Sequence, residues 1–150
     1  MMATNKIYIG ADHAGFKLKE KLKKWLLKKG LEMEDVGAAA FNPGDDYPDF
    51  AEKAARKVVR DKSLGILLCG SAQGMCIAAN KIKGARAVVP FSVKEAQLSR
   101  RHNMANIICL SGWYFNHLKS KRLVWAFLTT PFSQEERHRR RIEKIKRLER

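Results

Sequence analysis

Residues 67–81 read LLCGSAQGMCIAANK. An apolar run ends in Cys69, the mostly small residues Gly70, Ser71, Ala72, Gln73 and Gly74 follow, and helical periodicity then resumes. This is the layout of a strand, a tight turn exposing backbone N–H groups, and a helix whose positive end faces whatever Cys69 faces. Such a place suits a thiolate and an anion, so the spacing predicts a lowered thiol pKa at Cys69. Cys76, inside the helix, and Cys109, inside a strand, are expected to be inert.

Outward from this stretch the same alternation recurs. KIYIGA (6–11), LEMEDVG (31–37), LGILLCG (64–70), ARAVVP (85–90) and ANIICLSG (105–112) are short, aliphatic and closed by Gly or Pro, as parallel strands are. Helix-length segments lie between them, near 15–29, 47–61, 73–83, 93–103 and 115–129. The pattern implies an α/β fold with a doubly wound, Rossmann-like five-stranded parallel sheet flanked by helices. A further polar helix is expected to begin near Ser133, which can cap it, with Glu136 completing a capping box. Its apolar residues Ile142, Ile145 and Leu148 form one thin stripe, suited to packing on a neighbour or a partner subunit.

The length of 150 residues and a 45% hydrophobic content fit one domain spanning 1–150. The N-terminus lacks the three sections of a signal peptide, and no apolar run approaches the ~20 residues of a membrane span. A soluble, cytoplasmic protein with no membrane partner is expected. The three cysteines have neither CxxC nor Cys/His ligand spacing, which argues against a disulfide framework and a zinc site.

A net charge of +15 raises the question of nucleic acid. Residues 17–29 and 137–150 each contribute six of these positive charges. In the first stretch Leu18, Leu22, Trp25 and Leu26 share one helix face, which assigns the lysines to a solvated outer face. Without a zinc finger, an RNA-binding sheet signature or a pattern of stacking aromatics, only weak, salt-sensitive association with nucleic acid is expected.

Ligands of open α/β sheets bind beyond the carboxyl ends of the strands. The segments ADHAG, GDDYP, CGSAQG and RRHN adjoin strands, so Asp12, His13, Tyr47, Cys69, Ser71 and His102 are expected to converge on one edge. A thiolate with Asp12–His13 and His102–Asn103 can move protons between oxygens and a carbon. Rival phosphate loops fail on spacing. A cysteine phosphatase needs Arg where Met75 stands, and GADHAG and GSAQG break both the dinucleotide fingerprint and the P-loop pattern.

With ADHAGFKLKE, DYPDFA, GILLCGSAQGMCIAANKIKGARA, QLSRRHNMAN and TPFSQEERHRRRI in place, the chain resembles the type B ribose 5-phosphate isomerases, in a family that includes galactose 6-phosphate and allose 6-phosphate isomerases. The resemblance runs from about Lys6 to Ile145. It implies a homodimer with sites at the subunit interface and an aldose–ketose isomerisation of a phosphorylated sugar through a cis-enediolate, without metal or other cofactor. By position it makes Cys69 the base between C1 and C2. Ser71 and the N–H groups of Gly70 through Gly74 would hold the enediolate oxygen. His102, with Asp12 and Tyr47, would open the sugar ring, Asn103 would bind hydroxyls, and His13, Arg137 and Arg141 would contact phosphate. Met75 stands where a subgroup carries a glutamate base, which marks this chain as the cysteine type.

The chain departs from the family pattern at Ala72 (usually glycine), Met104 (usually aspartate), Glu135 and Glu136 (usually glycines) and Trp113 (an arginine in many members). Two other readings stand beside the ribose one: an isomerase for another aldose phosphate, such as allose or galactose 6-phosphate, and a non-catalytic sugar-phosphate binder.

Overall fold

The structure is a computed structural model that describes residues 6–149. Strand β1 (Ile7–Ala11) lies between β2 (Met33–Asp35) and β3 (Leu64–Cys69), β5 (Ile107–Ser111) adjoins β3, and β4 (Ala87–Val88) closes the far edge. The order is β2-β1-β3-β5-β4, with every pair parallel. The helices are α1 (Phe16–Lys28), α2 (Tyr47–Asp61), α3 (Gln73–Ala79), α4 (Val93–Asn103), α5 (His117–Thr129) and α6 (Glu136–Leu148). The expected doubly wound parallel sheet is therefore present.

Period-two alternation sorts the strand side chains between two cores. Ile9, Ile66, Leu68, Ile108 and Leu110 cluster with Leu18, Leu22 and Leu26 of α1 and with Leu123, Val124 and Phe127 of α5. On the other face Tyr8, Leu67, Cys69, Ile107 and Cys109 cluster with Ala51, Ala54, Ala55 and Val58 of α2 and with Met75 and Ala79 of α3. The small residues of α2 let it approach closely. Val58 sits over Gly65, where a Cβ would come within 2.9 Å of Val58 Cγ2.

From β1 the chain winds outward to β2, then returns past β1 to β3. The winding direction thus reverses between β1 and β3, and the crevice at their carboxyl ends is where such sheets take ligands. Asp12 and the loop after Cys69 open into it.

Several elements differ from the sequence expectation for local reasons. Helix α3 stops at Ala79 because the Asn80 amide accepts from Ala87 N at 2.8 Å and donates to Ala87 O at 2.9 Å, drawing the chain into a turn. Strand β4 is only two residues long: Arg86 N is taken by the Asn106 side chain at 2.7 Å, and Pro90 has no N–H for a ladder. Helix α6 starts at Glu136 without a side-chain cap, and the expected capping box is not formed. The Ser133 hydroxyl instead meets His138 Nδ1 at 2.8 Å, and the chain turns at Gln134 with φ 65°.

Lys19 departs from the solvated face predicted for α1. It is completely buried, and its ammonium donates to both Asp35 oxygens at 2.9 Å and to the Ala38 carbonyl. A buried charge has to be paired, and this pair ties α1 to the loop after β2.

Candidate active site

Asp12 follows β1 directly. Its backbone N–H donates to Leu68 O at 3.3 Å, and its Oδ1 accepts from Gly15 N at 3.1 Å, which closes the turn into α1. Gly15 is needed there: a Cβ would lie 2.6 Å from Leu68 Cβ, so only glycine lets α1 start this close to β3. Burial raises the Asp12 carboxyl pKa, opposed by the Gly15 N–H, and its charge is felt by the Cys69 thiol.

Cys69 is 4% exposed at the end of β3. After it the backbone passes through Ser71 and through Ala72 at φ 71°, a left-handed turn that aims the N–H groups of Met75, Ala72 and Ser71 at the thiol. Even so, the thiol pKa is raised, because burial outweighs the N–H donors and Asp12 adds its repulsion. The expectation of a lowered Cys69 pKa is thus overturned: a seven-residue helix end cannot offset removal of the sulfur from water. Cys109 is buried and pushed well above the usual thiol value. Cys76, expected to be inert, has its pKa lowered by the hydrogen bond from Cys109, a direction that favours its thiolate.

Two aromatic rings frame the loop. Trp113, 67% exposed, lies over Gly70, where a Cβ would come within 2.5 Å of its indole. The Tyr47 ring lies over Gly74 so closely that a Cβ there would collide with it. The Gly70 carbonyl accepts from Ser111 Oγ at 2.6 Å and from Trp113 N at 3.1 Å, and Cys69 O accepts from Gly112 N at 2.8 Å, so the loop is clamped to the end of β5. Ser71 is half-exposed and engaged only weakly by Gln73 N at 3.4 Å, which leaves its hydroxyl available to a ligand.

His13 follows Asp12 and is held by Asp45, whose Oδ1 accepts from His13 N at 2.9 Å and pairs with Nδ1 at 2.8 Å. Asp12, His13 and Asp45 bring one ligand-type atom each within 4.8 Å of one another. With Nδ1 committed to Asp45, the trio is a hydrogen-bonded group rather than an open set of cation ligands.

His102 and Asn103 do not join these residues within one chain. They end α4, which runs back to the amino edge of the sheet. Three residues later Asn106 O accepts from Gly65 N at 2.9 Å, at the start of β3, whereas Cys69 pairs with Ser111 at its far end. About 13 Å of strand separates those two levels. The expected convergence on one edge therefore fails for His102 and Asn103, because a helix that precedes a parallel strand ends where that strand begins. Helix α6 meets the same edge: Ser133 N donates to Arg101 O at 3.1 Å, and His138 stacks on His102 with ring centroids 4.2 Å apart. Arg137 and Arg141 are exposed on α6, and Arg137 Nε donates to Glu135 at 2.8 Å. A cavity of about 870 Å³ also opens at this edge, lined by Ser63, Arg86, Arg100 and Phe132 among others, away from Cys69.

Sequence reasoning missed Asp45, His138 and Lys19. Asp45 was visible as an acid just ahead of Tyr47, whereas His138 was hidden in a run of arginines and Lys19 among lysines.

A family model described as Ribose/Galactose Isomerase matches residues 7–145. The chain belongs to this family. Ribose-5-phosphate isomerase B of Mycobacterium tuberculosis is 43% identical over 150 residues, covering 99% of this chain and 93% of the relative. A ribose 5-phosphate isomerase structure from Thermotoga maritima superimposes with a TM-score of 0.90 at 44% identity, covering 95% of this chain and 97% of that one. The Mycoplasma genitalium ribose-5-phosphate isomerase B, with bound ribulose-5-phosphate, gives 0.91 at 42% identity, covering 96% and 95%. Among the described residues no helix is long and apolar enough to cross a membrane.

Proposed function

We propose that this chain interconverts ribose 5-phosphate and ribulose 5-phosphate, and that it works as a homodimer in which each site takes residues from both copies. The observation that carries the chemistry is a thiol at the carboxyl end of β3, ringed by the N–H groups of Ser71, Ala72 and Met75 and set beside Asp12, in a chain of the ribose/galactose isomerase family.

With the open-chain aldose in the crevice, the Cys69 thiolate removes the proton from C2. The electron pair moves to the C1 oxygen as a cis-enediolate forms; the O2 hydroxyl proton passes to O1, and the proton held by Cys69 returns to C1 as the C2 oxygen becomes a carbonyl. Nothing is gained or lost. The Ser71 hydroxyl and the N–H groups of the loop from Gly70 to Gly74 that are not turned to the thiol would hold the developing negative oxygen, an arrangement that stabilises such an intermediate. A buried thiol with a raised pKa forms little thiolate at rest, but that thiolate is a stronger base toward a weakly acidic C–H.

Ring opening needs a proton donor and acceptor at the ring oxygen and the anomeric hydroxyl. Asp12 and Tyr47 stand by the crevice, whereas His102 and Asn103 stand at the opposite edge of their own sheet. A second copy that brings its α4 end and α6 to the first copy's Cys69 loop would supply His102, Asn103, Arg137 and Arg141. The exposed Ile145 and Leu148 of α6, and the exposed Trp113 and Tyr114 beside the loop, support such a contact. His13 and the two arginines then bind the phosphate.

Complementation tests both claims at once. Cys69→Ser and His102→Asn should each abolish turnover of ribose 5-phosphate. Co-expressed, they should regain about a quarter of wild-type activity, since half the dimers are mixed and each mixed dimer holds one intact site of two. No regain would refute the shared site, and a wild type inert on ribose 5-phosphate but active on allose 6-phosphate would move the substrate within the family.

A further inference from the structure

One carboxylate oxygen, Asp45 Oδ1, takes both the backbone N–H of His13, at 2.9 Å, and its ring Nδ1, at 2.8 Å. This two-point grip fixes the residue and its ring together. Asp45 is itself held in a turn, its N–H donating to Asn42 O at 3.1 Å. Its side chain is 8% exposed, against 35% for His13, so the pair is buried at the acid and open at the imidazole. The second oxygen, Oδ2, is buried without a hydrogen-bonding partner among the described residues. A buried carboxylate that forgoes half its hydrogen bonds is costly unless its charge has a use.

The groups facing His13 supply one. Asp12 and Asp45 are the charges acting on it, both negative. Phe41 meets the ring edge-on at 6.4 Å and brings no charge, and the Lys19 ammonium on α1 is turned away to Asp35 and Ala38. With Nδ1–H given to Asp45, Nε2–H is the remaining ring donor.

We propose that Asp45 is a positioning residue for the isomerisation, gripping His13 as the imidazolium half of an aspartate–histidine pair so that Nε2–H serves as a hook for the substrate phosphate. This rests on the phosphate role given to His13 in the proposed function. The neutral alternative, an imidazole held only for packing, would need no carboxylate, since an amide accepts from Nδ1–H equally well. The direction of the His13 pKa agrees: the Asp45 hydrogen bond raises it above 6.5, so the cation persists into the range where phosphate esters are dianions.

Asp45→Asn keeps the acceptor and removes the charge, and Asp45→Ser serves as a second variant should the first fold poorly. The first readout is an NMR titration of the His13 imidazole in the free protein, with and without inorganic phosphate, its signal assigned through His13→Asn. The His13 midpoint should fall in Asp45→Asn, and the phosphate-induced shift of the wild-type imidazole should weaken at a pH between the two midpoints. The second is KM against pH: between those midpoints the variant should show a higher KM with kcat little changed, the loss expected of a charged hydrogen bond, and the gap should close well below both. An unchanged His13 midpoint, or a KM raised equally in both pH ranges, would overturn the proposal. A wild type that binds phosphate at His13 yet turns over no sugar phosphate would retire the isomerase reading while leaving the hook in place.

Discussion

His138 stacks on His102 with ring centroids 4.2 Å apart and planes tilted by 34°, while Ser133 Oγ holds the His138 Nδ1 at 2.8 Å. Two imidazoles this close cannot both carry charge cheaply. Burial and the neighbouring His102 hold the His138 pKa below its ordinary 6.5, so His138 acts as a neutral plate that orients the ring proposed to open the sugar.

The stack carries a pH signature. A histidine whose folded pKa lies below its unfolded value binds fewer protons folded than unfolded. Its contribution is complete above 6.5 and is lost as pH falls from there through the folded pKa. Thermal midpoints of wild type and His138→Gln, measured from pH 7.5 to 5.5, should show wild type losing more of its stability. Parallel curves would mean that His138 titrates normally.

Cys69 should behave as a buried thiol. Because burial raises its pKa above 9.0, alkylation by iodoacetamide should keep accelerating as pH rises from 7 through 9, with no plateau near neutrality. Cys76, half-buried and with its pKa lowered by Cys109, should be labelled first at neutral pH, and Cys109 should resist until unfolding. Peptide mass spectrometry of a time course resolves the three. Early, pH-independent labelling of Cys69 would show that a second copy's positive charges override burial in the assembled protein.

The fold was legible because each strand announces itself twice, as an aliphatic run and by the small residue that ends it. Cys69, Ser71, Asp12, His13 and Tyr47 could be placed at one edge from that alone. His102 could not, since its edge depends on which way α4 runs: nearness to β5 in sequence puts it at the start of that strand and not at its end. Asp45, Lys19 and His138 escaped for a related reason. Each is defined by a partner distant in sequence or masked by like neighbours, and periodicity reports only which face a residue takes. The raised Cys69 pKa was out of reach because the helix-end argument counts donors and cannot count lost water.

Gly74 is required by Tyr47. A methyl group at Gly74 would meet the far end of the phenol ring, which can swing aside at modest cost in stability but leaves the crevice in doing so. Gly74→Ala should lower kcat/KM by roughly 10–100-fold, as displaced positioning groups do. With Tyr47→Ala already present, adding Gly74→Ala should cost almost nothing more, and full additivity in this double-mutant cycle would refute the link.

Met104 caps α4 in the left-handed region, at φ 51°, and is 43% exposed. A residue with a Cβ is strained there, and asparagine tolerates the conformation better. Met104→Asn should raise stability by about 0.5–1 kcal/mol in urea unfolding, with m unchanged. A loss would show that the methionine side chain is covered by a second copy.

Glu135 competes with a phosphate for Arg137. Its Oε2 accepts from Arg137 Nε at 2.8 Å, and the arginine in turn is the main cause of its lowered carboxyl pKa. To reach a substrate dianion, Arg137 has to leave this carboxylate, whereas Arg141, one helical turn on, shares its face of α6 without that tether. Exposed ion pairs are weak, so the competition is modest and screened by salt. Glu135→Gln should therefore lower KM for the sugar phosphate, by no more than about five-fold at low ionic strength, with kcat unchanged and with the gain fading as salt is added. The Arg139 guanidinium donates to Gln134 and not to the Glu135 carboxylate, so Arg139→Ala should leave the effect of Glu135→Gln unchanged. If Glu135→Gln left KM untouched while Arg141→Ala raised it about ten-fold or more, the phosphate would be gripped by Arg141 alone, and the pairing of Arg137 with Arg141 would be wrong.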